Sequence, residues 1–157
     1  MGRSVSQMYE ELQEESSRQQ QLWPDADVVD VYGEEHPEAF GGSWWSGPDL
    51  TVAFVAAEEH RRELHSRVTN PERIHVVNVN RTLADLSALQ ERVEADMEQE
   101  TGQTFRITMV GVQEDENCVV VGIEPYLEAV AADLRGRYGD AVRVQNGPVF
   151  YELSAQE

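Results

Sequence analysis

Lysine is absent from this chain. All twelve basic residues are arginine, set against 30 acidic residues, and the formal net charge is −18 over 157 residues. Lysine-directed side-chain modification is therefore excluded, and a GC-rich, bacterial type of genome accounts for the bias. Basic patches with interleaved aromatics are missing too. Nucleic acid and anionic membrane surfaces are excluded as partners, because the phosphate interaction that drives such binding is repulsive for so acidic a chain. Another protein, basic in character, is the partner that charge favours. An acidic mimic that occupies a nucleic-acid-binding protein is one alternative, and plain solubility from surface charge is the bland account of the acidity.

Cysteine occurs once, as Cys118 in the apolar run "CVVV", so no intramolecular disulfide can form and the residue reads as a small core hydrophobe. Long apolar runs are missing as well: none reaches the ~18 residues of a membrane span. The first twenty residues, "MGRSVSQMYEELQEESSRQQ", lack the apolar segment of a secretory signal. The expected location is cytoplasmic. Gly2 and Ser6 fit the loose myristoylation pattern, which is read as coincidence.

Catalytic signatures are equally scarce. No phosphate-binding glycine loop, nucleophile elbow or calcium loop is found. His60 and His65 are five apart on a predicted helix, whereas two ligands on one helical face need a spacing of three or four. His36 stands among Glu34, Glu35 and Glu38 in a polar loop, and His75 completes the set. All four histidines read as structural or surface residues. No catalytic residue, cofactor or metal is assigned, and an enzyme or small-ligand domain remains as the second alternative.

What the chain does contain is order. Residues 1–39 read as an acidic helical arm and linker. A one-sided helix runs from Val5 to Gln21, carries Val5, Met8, Tyr9 and Leu12, and is stopped by Pro24; one short helical turn follows in "DADVVDVYGEEHPEAF". From Phe40 the pattern is regular. "FGGSWWS" and "LTVAFV" form a hairpin around Gly47-Pro48-Asp49, a helix carries Ala57, His60, Arg61, Leu64 and Val68, and "RIHVVNV" is a third strand. Residues 40–80 thus make a ββαβ unit.

Residues 81–103 hold a connecting helix with a Leu83, Leu86, Leu89, Val93, Met97 stripe, Thr82 as its N-cap and Gly102 as its stop. The order then returns over residues 104–153. "FRITMVGV" and "NCVVVGI" form a hairpin around Glu114-Asp115-Glu116, Pro125 opens a helix, "AVRVQ" follows, and Asn146-Gly147 turns into an added strand, "PVFYEL". A gapless offset of 68 places Val52 on Val120, Arg67 on Arg135, Ile74 on Val142 and Asn78 on Asn146. The fold class expected is α+β, two tandem ββαβ units joined by a long helix, with the units burying their apolar faces on each other and on that helix.

Three segments, "FGGSWWSGPDLTVAFV", "VNVNRTLADLSAL" and "MVGVQEDENCVVVGIE", resemble the propeptide domain of the alpha-lytic protease and streptogrisin family over roughly residues 40–144. In that family of bacterial secreted serine proteases the prosegment helps the protease fold and then inhibits it. A precursor has a secretion signal ahead and the protease behind. Here an acidic helix stands ahead, and the chain ends soon after the last expected strand. The resemblance implies a free-standing prodomain acting as a chaperone-like factor, adaptor or inhibitor.

The partner-binding candidates are Trp45, Tyr9, Leu12 and Tyr151. Strand neighbours face opposite sides, and the offset of 68 aligns Trp44 with apolar Val112 and Trp45 with polar Gln113. Trp44 is accordingly expected in the core and Trp45 outside it.

Overall fold

Proline lacks a backbone N–H, so it ends a helix from within but is tolerated in a first turn, where N–H groups have no partner in any case. Pro24 does both. In the computed structural model, which describes residues 2, 4–99 and 104–147, helix α1 (Val5–Gln21) closes on Leu22, and α2 (Trp23–Glu35) starts at once with Pro24 in its first turn. The short helical turn expected after Pro24 is in fact a helix of 13 residues. Its inward positions recur at helical steps: Asp25, Val29 and Tyr32 with Gly33 are buried. Aspartates interrupt that stripe in the sequence, which hides it. At Gly33 a Cβ would meet the Phe40 ring at 2.8–2.9 Å, so only glycine admits the ring against the helix.

Strands β1 (Phe40–Ser46) and β2 (Asp49–Phe54) pair antiparallel around Gly47-Pro48, with Gly47 at φ +63°, the positive value a tight hairpin needs at its first central residue. Helix α3 (Glu58–Arg67) then carries the chain to β3 (Ile74–Asn78), which lies parallel to β2, giving the order β1-β2-β3. Leu22, Val29 and Tyr32 of the helical layer close a core with Leu50, Val52, Phe54, Leu64, Ile74 and Val76.

The second unit opens with α4 (Leu83–Gln99), whose Leu86 and Val93 are buried and whose Leu89 and Met97 are partly covered. Strands β4 (Arg106–Gln113) and β5 (Cys118–Glu124) form its hairpin, and α5 (Glu128–Tyr138) leads to β6 (Val142–Asn146), parallel to β5, in the order β4-β5-β6. Val119, Val121, Ile123, Leu134, Val142 and Val144 complete the second core. The protein is thus α+β, with two tandem ββαβ units and a long helix between them in the chain.

Three expectations need correction. Internal contacts divide the chain at Met1–Thr82 and Leu83–Glu157. The segment before residue 40 is therefore only half an arm, because α2 supplies core residues to the first unit. The long helix is no separate connector, because its apolar stripe belongs to the second core. Helix α5 begins at Glu128, after Pro125.

The gapless offset also fails within the hairpins. Each first strand carries one extra residue, Gly41 in β1 and Thr108 in β4, which are 67 apart. The core-facing residues of the second strands, Leu50, Val52 and Phe54, correspond to Val119, Val121 and Ile123, which are 69 apart. The second turn is two residues longer, since Ser46 pairs with Asp49 but Gln113 with Cys118. A slip of one residue moves every side chain to the other face. Val52 thus matches Val121 rather than Val120. The final strand expected over 148–153 lies outside the described residues, as does Gly102.

Candidate partner-binding surface

Helix α1 begins with a reciprocal cap. Ser4 Oγ accepts from the Gln7 backbone N–H at 3.1 Å, and Gln7 Oε1 accepts from the Ser4 N–H at 3.0 Å, satisfying two donors that a helix start otherwise leaves open. At the other end the Arg73 guanidinium gathers three elements. Its Nη2 donates to the carbonyls of Arg18 at 3.0 Å and Pro48 at 2.8 Å, and its Nε donates to Asp49 Oδ1 at 3.1 Å. Gln19 Nε2 adds a bond to the Gly47 carbonyl at 2.8 Å. The C-terminal end of α1 is thereby fastened to the β1–β2 turn and to the start of β3.

His75 Nε2 donates to the other Asp49 oxygen at 2.9 Å. That bond, more than the Arg73 interaction and against the opposing effect of burial, holds the Asp49 carboxyl below the usual carboxylate range.

Between cap and clamp, α1 buries no residue. Met8 and Tyr9 stand three and four residues after Val5, and Leu12 stands four and three after them, so the four share one face, exposed at 83%, 50%, 61% and 65% in chain order. Met8 and Leu12 with Glu11 and Glu15 border a shallow groove of about 280 Å³ along the helix. Tyr9 and Leu12, two of the sequence candidates, are therefore brought onto one surface. The Ser4/Gln7 cap is legible in the sequence as Ser followed three residues later by Gln.

Trp45 is 38% exposed and stands opposite Leu50 across the hairpin, on the helix-covered side of the sheet at its rim. Trp44 stands opposite Thr51 on the other side and is half-buried. The expectation of Trp44 in the core is thus overturned, by the same two-residue difference in turn length that breaks the offset. Tyr151 lies outside the described residues. Trp23, exposed at the α1–α2 junction, was not anticipated; an aromatic directly before a helix-opening proline was its only signal.

The histidines are tied into the framework. The Tyr32 hydroxyl and His60 Nδ1 share a hydrogen bond of 2.7 Å, His36 Nδ1 donates to the Tyr32 carbonyl at 2.9 Å while its ring stacks on Tyr32, and His65 Nε2 donates to the Ile74 carbonyl at 2.7 Å. The Arg67 guanidinium lies 5.0 Å from the Tyr32 ring centre and pairs with Glu35 and Glu63. Among the described residues no group of three or more His, Cys, Asp or Glu side chains is placed to hold a metal ion, and no helix is long and apolar enough to cross a membrane. No protein-family model matches the chain, and no curated protein matches it.

Proposed function

We propose that this chain is a non-catalytic protein-binding module, resembling a free-standing protease prodomain and working in the cytoplasm as a chaperone-like factor, adaptor or inhibitor. The observation that carries this reading is the face of α1. A helix capped at one end and clamped at the other presents four large apolar side chains to solvent and none to the core. Burial of such side chains is worth about 1.5–3 kcal/mol each, so a helix that folding alone maintained would turn them inward. Contiguous exposed apolar surface on the order of a few hundred Å² is characteristic of interaction sites.

The test is site-specific photo-crosslinking in the source cell, with a photoreactive side chain at position 9, 12 or 14. The first two positions should capture one discrete protein and the third should not, because Glu14 lies on the opposite face of α1. An absence of adducts at all three positions, together with a small molecule retained stoichiometrically in native mass spectra, would sink the reading.

A further inference from the structure

We infer that the occupant of the α1 face is a basic amphipathic helix, whose apolar seam meets Val5, Met8, Tyr9 and Leu12 and whose flanking cations meet the carboxylates beside them. This rests on the protein-binding reading and names the chemistry of its partner.

The apolar positions fall within about one third of the helix circumference and, at 1.5 Å per residue, extend about 10 Å along the axis. That is a seam of two turns, the span over which a second helix lays its own apolar positions. One border of the seam is acidic: Glu11 and Glu15 line it and close the groove with Met8 and Leu12, while the neutral Ser6 and Gln13 stand along the other. In paired helices the residues flanking the seam select the partner by charge, and opposite signs are favoured. Arg18, the lone basic residue of α1, stands in its last turn, six residues past Leu12, and pairs with Glu14.

The same charges argue against other occupants. A second copy would bring Glu11 and Glu15 near their like, and an anionic lipid surface would meet the same carboxylates. The seam is smaller than the ~800 Å² per partner of a standard stable interface, so the contact is a weak and exchangeable one.

The experiment titrates the full chain with a helix-forming peptide bearing Leu at seam positions and Lys at flanking positions, with its Lys→Glu counterpart, and with a scrambled isomer of identical composition. The basic amphipathic peptide should bind at least tenfold more tightly than either control. Leu12→Glu is the decisive variant. It adds a negative charge, so attraction by charge alone would strengthen, whereas a seam contact should weaken at least tenfold, as it should in Tyr9→Ala. Because α1 buries nothing, circular dichroism of both variants should match the parent. Glu11→Gln with Glu15→Gln should flatten the salt dependence of binding.

Equal binding of the scrambled peptide, or unchanged or tighter binding by Leu12→Glu, overturns the proposal in favour of unspecific charge attraction. A dimer in sedimentation that Leu12→Glu dissociates overturns it in favour of a second copy, and Leu12-dependent binding to phosphatidylcholine vesicles in favour of lipid. If the basic peptide fails while crosslinks at positions 9 and 12 persist in cells, the partner's charge is wrong and the protein-binding reading stands. If the crosslinks fail as well, both fall.

Discussion

Asp25 is 2% exposed, and its carboxylate accepts from the Thr69 N–H and the Asn70 N–H, both at 2.8 Å, and from Asn70 Nδ2 at 3.2 Å. One acidic side chain of α2 thereby holds the loop that delivers β3. Asp25→Ala leaves those donors without their acceptor, and hydrogen bonds to a charged group contribute roughly 1.5–3 kcal/mol. Urea denaturation should show a loss of about 2–4 kcal/mol for Asp25→Ala and a smaller one for Asp25→Asn, which keeps one acceptor oxygen. In the sequence Asp25 is one carboxylate among thirty, and nothing local marks it as the buried one.

Tyr138 makes a second single-residue contribution. Burial, then the hydrogen bond its hydroxyl donates to Asp96 Oδ2 at 2.8 Å, pushes its pKa up to about 12. The folded state therefore retains a proton that the unfolded chain releases from pH 10 upward. The stabilisation is complete below pH 10 and is lost as pH rises toward 12. Tyr32 adds a contribution of the same sign in the first unit, its pKa raised chiefly by burial and next by the Glu63 carboxylate. Denaturation midpoints measured across that alkaline range should fall for the parent protein and fall less for Tyr138→Phe.

Among the elements, α1 depends on its fastenings rather than on packing. Arg73→Ala removes the bonds to Arg18, Pro48 and Asp49 together. Hydrogen exchange in the last turns of α1 should speed up at least tenfold, while amides of β2 and α3 change little. Uniform loss of protection across the first unit would show that the clamp supports the whole fold instead. The extent of α1 was legible from its four apolar residues at helical spacing, and the hairpins from Gly47-Pro48 and the acidic turn. Helix α2 was not. Its core face combines Leu22, Val29 and Tyr32 with Asp25 and Gly33, and the last two become inward-facing only through the loop and the Phe40 ring that meet them. The faces of the two tryptophans were misread for a related reason. Alternation along β1 is local, but which alternate set faces the helices is decided by pairing with β2, through the length of the turn.

At the scale of the whole molecule, charge dominates. If every arginine paired with a carboxylate, the net charge of −18 would still remain. Salt therefore screens more repulsion than attraction. The melting temperature should rise by a few degrees between about 10 mM and about 200 mM NaCl, over which the Debye length shortens from about 30 Å to below 10 Å. A fall over that range would mean that the surface ion pairs outweigh the excess of carboxylates.

The sequence by itself determined the elements of regular pattern, their order, the repetition of the ββαβ unit and the acidic character of the chain. These follow from apolar periodicity, turn residues and composition, which are properties of neighbouring residues or of the chain as a sum. Only the tertiary structure decided that α2 belongs to the first core and α4 to the second. It alone decided that Trp45 sits on the helix-covered side of its sheet, and that the apolar face of α1 remains uncovered within its unit. Burial depends on what lies across a gap in space, and residues far apart in the chain supply that.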